Sequence, residues 1–165
     1  MTEVARRPEV ARSRQTRDTP TRQHETALSA WATFLQAHAA VIRRLGSELE
    51  SQTGMSIADY DVLVTLARSG RTLRMSDLAD RVVLSRSGMT RRVDRLEAAG
   101  LVERRECATD RRGAFAHLTD DGLERLRQVS PVHLRGIQRH FTSRMDPTEL
   151  DGLRSALSKV AGADT

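Results

Sequence analysis

Apolar positions recur at helical steps over most of this chain and switch to strand-like runs in one short region. Leu28, Trp31, Leu35, His38, Ile42, Leu45 and Leu49 fall three and four residues apart, which predicts a long helix over roughly 24–52. Gly54 stands where its C-terminal cap belongs. Ser56–Ile57–Ala58–Asp59 is a capping-box pattern, with the Ser oxygen taking the N3 amide and the Asp reaching back. It opens a second helix through about Arg68, with Tyr60, Leu63, Val64 and Ala67 apolar, and Gly70 ends it. Ser76 is the expected cap of a third, short helix with Leu78, Ala79 and Val82 inward, and Val83–Leu84 makes a turn. Ser85 caps a fourth helix through Ala99, where Gly100 stops it and Leu101 is placed for a Schellman contact.

Beyond Gly100 the pattern changes. Leu101–Arg105 and Ala114–Leu118 read as short strands joined by a polar, turn-forming segment, so the pair is expected to be a hairpin. Thr119 caps a fifth helix, whose positive N-terminal end suits Asp120 and Asp121. Its stripe runs through Leu123, Leu126, Val129, Leu134, Ile137 and Phe141, and Pro131 predicts a kink or break near Ser130. Asp146–Pro147–Thr148–Glu149 starts a sixth helix carrying Leu150, Leu153, Leu157 and Val160. The fold class expected is mainly α with a small β-hairpin wing: a winged helix-turn-helix with a helical dimerisation region. No internal repeat is visible.

The expected domain plan is a disordered basic tail over 1–23 and a single domain over 24–162. Within that domain, 55–120 form the winged helix-turn-helix lobe, and 24–53 with 121–162 form the helical dimerisation region. The tail holds Pro8 and Pro20 and has six arginines against three acids, without periodicity.

Composition narrows the partners. The chain has a net charge of +5, and Lys159 is the only lysine among its 27 basic residues. Arginine's planar fork matches phosphate and guanine edges, so placement of these arginines decides the reading. No run of about 18 apolar residues exists, so no membrane partner is expected. The N-terminal stretch lacks a secretory h-region. The single cysteine, Cys107, cannot form an internal disulfide, and the cytoplasm is the expected location.

On a helical wheel of about 100° per residue, Met89, Val93 and Leu96 lie close together as the buried face of the fourth helix. Ser87, Thr90, Arg91, Asp94, Arg95 and Ala98 lie opposite, with Arg86 and Arg92 at the edges of the buried stripe. Small hydroxyl residues near the N-terminus let a backbone approach DNA, and arginines fork guanine or bind phosphate. The plainer alternative is an ordinary solvated helix. The preceding turn-linked helix and the following hairpin favour a DNA-reading unit. The expected helix contacts are Ser85, Arg86, Ser87, Thr90, Arg91 and Arg95. The expected wing contacts are Asp110, Arg111 and Arg112, since arginines at a hairpin tip suit a narrow minor groove.

At these residues the chain resembles the MarR family of bacterial winged-helix repressors. The matching text is LADRVVLSRSGMTRRVDRLEAAGLVERR followed by DRRGAFAHLTDDG, and the resemblance extends more loosely from about 25 to 162. It implies that the first, fifth and sixth helices interlock with those of a second subunit. Two recognition helices would then enter successive major grooves of a pseudo-palindromic double-stranded operator. Residues aligning with the family's DNA contacts are Arg86, Ser87, Thr90 and Arg91, with Arg112 on the wing oriented by Asp110. Gly88 stands where many members carry a hydroxyl residue. The apolar stripes of the terminal helices support a homodimer independently, because the central lobe cannot cover them alone.

The resemblance also implies release from DNA by a small-molecule effector, aromatic or anionic. The region expected to hold it includes Trp31, Phe34, His38, Arg43, Tyr60 and Asp61, each with a core or interface alternative. Tyr60 and Asp61 start the second helix, which some urate-type members use, although Tyr60 stands where those carry tryptophan. Arginines near Cys107 favour a thiolate and Glu106 and Asp110 oppose it, so redox activity stays open. There is no P-loop, GxGxxG, CxxC or HExxH, and no cofactor is expected. His133 and His140 lie seven apart without a further ligand, so no metal is expected. The function expected is a sequence-specific, dimeric DNA-binding regulator and not an enzyme. The alternative is a winged-helix protein-interaction module or a non-specific nucleoid-type DNA binder.

Overall fold

The computed structural model describes residues 19–82, 85–106 and 114–162. In chain order the elements are α1 (Thr19–Thr53), α2 (Ile57–Arg68), β1 (Thr72–Arg74), α3 (Met75–Arg81), α4 (Arg86–Ala98), β2 (Val102–Glu106), β3 (Ala114–Leu118), α5 (Asp120–His140) and α6 (Pro147–Val160). A single 3-10 turn at Thr142–Arg144 separates the last two helices. The chain divides into two compact units at His38/Ala39.

In the first unit, α1 begins at Thr19, so the helix takes in five residues expected to belong to the tail. Proline is tolerated in a first turn because the amide it lacks has no partner there, and Pro20 sits in that turn. Leu28, Trp31, Phe34 and Leu35 are all exposed.

The second unit holds the core. Leu49 from the end of α1, Leu63 and Leu66 from α2, Leu78 from α3, and Met89 and Val93 from α4 are fully buried together. The three strands form an antiparallel sheet in the order β1-β3-β2, with Leu73 opposite Ala116 and Arg104 opposite Ala116 on the other side. Strand β1 was not foreseen, since three residues are too short to show alternation. It explains a second difference: Ser76 does not cap α3. The N-cap is Arg74, still extended as the last residue of β1, and no side chain caps the helix. The Ser76 hydroxyl donates to Asp77 instead, at 3.1 Å.

Other local signals behave as read. Ser85 Oγ accepts from the Gly88 amide, Thr119 Oγ1 from the Gly122 amide, and Asp146 and Glu149 form a complete capping box. Gly100 takes a left-handed φ of 73°, its amide donating to Glu97 and that of Leu101 to Leu96, which is the Schellman arrangement. The break expected at Pro131 does not occur, and α5 is one continuous helix. Proline removes one backbone donor, while Leu126 and Val129, one turn earlier, are buried in the core and hold the segment helical. The Ser130 hydroxyl, just before the proline, also donates to the Leu126 carbonyl one turn back at 2.7 Å. The Val83–Leu84 turn lies outside the described residues.

Close approach rather than φ fixes Gly122. A Cβ there would stand 2.0 Å from the Leu101 carbonyl oxygen and 2.7 Å from a Leu118 methyl. Backbone cannot yield as a side chain can, so α5 would have to back away from the β2 entrance. Gly122→Ala is therefore expected to lower unfolding free energy by about 1–3 kcal/mol, read as a drop in urea midpoint at unchanged slope. An unchanged midpoint would show that α5 is not seated there by contact.

Candidate nucleic-acid interface

The recognition helix α4 is oriented by three side chains. Met89 and Val93 are fully buried and Leu96 nearly so, and the opposite face with Ser87, Thr90, Arg91, Asp94 and Arg95 is exposed. Ser85 lies just outside the helix as its cap, also exposed. Arg91 folds back so that its Nε donates to the Ser87 carbonyl at 3.4 Å. Gly88 gives the cap room, since a Cβ there would meet Ser85 Oγ at 3.1 Å. Arg86 is the first residue of the helix, and its side chain is outside what the structure describes.

Both flanks of α4 are braced by ion pairs that periodicity did not reveal. On one flank, Asp59 of α2 accepts from Arg92 Nη1 at 3.0 Å and from Arg95 Nη2 at 2.7 Å, both on Oδ1. Asp59 is the one charged residue buried among those described. The capping box expected at Ser56 is thus only half formed: Ser56 Oγ accepts from the Asp59 amide at 3.2 Å, but the Asp59 carboxylate does not reach back to the cap amide. It accepts a hydrogen bond from the Ser56 hydroxyl at 2.7 Å and turns its other oxygen to the two arginines. Two guanidinium partners outweigh one more backbone amide, because each brings a full opposite charge as well as a hydrogen bond to the carboxylate. Arg95, expected as a DNA contact, is therefore tied at one end while its side chain stays 60% exposed.

On the other flank, Arg104 of β2 reaches Asp94 at 2.5 Å, Glu97 at 3.3 Å and the Thr90 carbonyl at 3.3 Å. Its backbone amide also donates to Glu97 at 3.0 Å. The strand that leads into the wing is thereby fastened along the recognition helix. Asp110, Arg111 and Arg112 of the wing, with Cys107, lie outside the described residues.

The residues expected to hold an effector fall in two places. Trp31, Phe34 and His38 stack successively along α1 in the first unit, with ring centroids 5.9 and 6.1 Å apart. In the second unit Tyr60 is buried and lies 4.4 Å from the His133 ring of α5, and Asp61 beside it is half-buried. Burial pushes the Asp61 carboxyl up, opposed by the charge of His133 and Arg92. Burial likewise pushes His133 down, opposed by Asp61. No group of three metal-ligating side chains comes together among the described residues. His140 instead meets Glu48 at 2.7 Å, and that hydrogen bond, with Arg139, holds Glu48 below the usual carboxylate range.

The His133 shift has a stability consequence. Its folded value lies below the ordinary 6.5, so the unfolded chain takes up the proton first. Stability is intact above that value and falls as pH drops through it towards the folded value. His117, also lowered chiefly by burial, acts in the same direction. His133→Phe keeps a ring against Tyr60 and removes the proton, so it is expected to flatten the loss of urea midpoint between about pH 7.5 and about pH 5.5. An equally steep loss in the variant would assign the acid sensitivity elsewhere.

A sequence profile of the MarR family matches residues 53–113. The uncharacterized HTH-type transcriptional regulator YkoM of Bacillus subtilis (strain 168) is 30% identical over 136 residues, covering 82% of this chain and 86% of that protein. The transcriptional repressor MprA of Escherichia coli (strain K12) is 33% identical over 119 residues, 61% of this chain and 68% of that one. Among solved structures, Sco3205, a MarR family transcriptional regulator from Streptomyces coelicolor in complex with DNA, matches with a TM-score of 0.76 at 34% identity, over 82% of this chain and 86% of that chain. With a winged helix-turn-helix whose basic helix faces outward, the chain belongs to the MarR family of DNA-binding transcriptional regulators, which are not enzymes.

Proposed function

We propose that this regulator is a cytoplasmic homodimer that reads a pseudo-palindromic operator, represses transcription there, and is released by a small aromatic or anionic effector. The observation that carries the reading is the two-faced recognition helix: Met89, Val93 and Leu96 buried, and Ser87, Thr90, Arg91 and Arg95 outward. Ser85 and Arg86 at its start, and Asp110, Arg111 and Arg112 on the wing, complete the proposed contact set. A helix of this kind enters the major groove N-terminus first, and wing arginines suit the adjacent minor groove. Repression is supported by the relative MprA, which is named a transcriptional repressor.

Dimerisation is supported by exposed apolar side chains that a monomer leaves in water. Leu28 and Trp31 are more than half exposed, as are Leu134 of α5 and Val160 of α6. Large apolar side chains left exposed in this number mark an interface. The effector reading rests on the ring stack Trp31–Phe34–His38 and, separately, on Tyr60 and Asp61.

Fluorescence-polarisation binding to the DNA upstream of its own reading frame, with random DNA as control across a salt series, tests the reading. The expected result is one dimer per site and a preference of about 10³-fold or more that survives moderate salt. Arg91→Ala should cost about 1–3 kcal/mol on the operator and relax discrimination at one base position. Equal, steeply salt-dependent binding to both DNAs would favour the non-specific nucleoid-type binder. No binding to either would favour a protein-interaction module.

A further inference from the structure

Asp59 is an acidic residue on the flank of a helix whose partner is a polyanion, and its position asks for an explanation. Repulsion from phosphate would weaken DNA binding, yet it lies against the two arginines at the middle and far end of α4. Its Oδ1 takes both guanidinium groups, at 3.0 Å from Arg92 and 2.7 Å from Arg95. Its Oδ2 is held by the Ser56 hydroxyl at 2.7 Å, and Ser56 Oγ also accepts from Arg92 Nη1 at 3.2 Å. The carboxylate is thus fixed on one side by the cap residue of α2 and on the other by the two arginines of α4. Arg92 and Arg95 are three residues apart on one helix, where like charges repel. One carboxylate between them removes that repulsion and leaves a net charge of +1 at the cluster.

The two arginines are unequal. Arg92 has only 24% of its side chain exposed, and its Nε is buried without a partner among the described residues. Arg95 is 60% exposed on the outward side. An exposed arginine held at one end by a buried carboxylate loses rotamer freedom before it meets a ligand. It then presents its remaining edge in one direction, and less entropy is lost on contact. An untethered Arg95 would sample many directions and find any phosphate.

We propose that Asp59 is a positioning residue for DNA recognition: by holding Arg95 against α2 it exchanges non-specific attraction for operator specificity. The inference rests on the reading of α4 as a sequence-specific helix. A purely structural Asp59 predicts something different. Loss of fold lowers affinity for every DNA by the same factor and leaves the salt dependence unchanged.

The test uses full-length wild type, Asp59→Asn, Arg95→Gln and the double variant, each checked by thermal unfolding and titrated onto operator and random DNA across a salt series. Asp59→Asn removes one negative charge and frees Arg95. Random DNA should be bound more tightly, with a salt slope steeper by up to about one unit. The operator-over-random ratio should fall by about tenfold or more. Arg95→Gln should lower the ratio comparably, and adding Asp59→Asn to it should change the ratio little further, because the two act as one unit. A folded Asp59→Asn protein that keeps the wild-type ratio overturns the proposal. If Asp59→Asn does not fold, Arg95→Gln carries the test, and an unchanged ratio there overturns it equally. A wild-type protein without operator preference overturns both this inference and the specific-reader reading, which separates the two failures.

Discussion

The burial of Met89, Val93 and Leu96 is the constraint on which the outward face of α4, the proposed DNA-binding surface, depends. These three side chains lie on one stripe of α4 and sit in the same core as Leu63, Leu66 and Leu78. Full burial of such side chains is worth about 1.5–3 kcal/mol each. A rotation of the helix by one residue position, about 100°, would bring arginine into that core and apolar surface into water. The rotation is therefore fixed by hydrophobic burial, and the outward residues follow without needing any interaction of their own. Charge then refines what burial has set. Asp59 braces one flank of α4 from α2, and Arg104 braces the other from β2.

The same division of labour explains why the regulator carries acids inside a basic surface. Asp59, Asp94 and Glu97 each partner an arginine, so the positive charge near α4 is held in place rather than merely accumulated. Surface ion pairs contribute little individually to stability. Their value here is geometric: the wing strand and the recognition helix are tied together through Arg104, so a contact made by one element constrains the other. The tight approach at Gly122 anchors the end of that sheet to the start of α5.

Much of the fold was legible in the sequence because its signals are local. The capping residues Ser56, Ser85, Thr119 and Asp146 act within one turn, and the buried stripe of α4 is a period anyone can count. What escaped notice depends on distant partners. Strand β1 exists only because β3 pairs with it, and Ser76 lost its capping role for the same reason. The roles of Asp59 and Arg92 arise from a contact spanning 33 residues, and a capping-box pattern concealed it. Pro131 was read by its local cost, while the packing of Leu126 and Val129 decided the outcome. Wing residues Asp110, Arg111 and Arg112 rest on the hairpin pattern of the sequence, and Asp110 and Arg112 also on the family resemblance.

The outward face of α4 is proposed to read base edges in the major groove. Replacing guanines of the bound site one at a time by 7-deazaguanine removes a single major-groove acceptor and leaves base pairing and phosphates intact. The expected loss of affinity is confined to one or two guanines per half-site and vanishes in the Arg91→Ala protein. Uniform indifference to the substitution, with wild type and variant alike, would contradict direct reading by this helix.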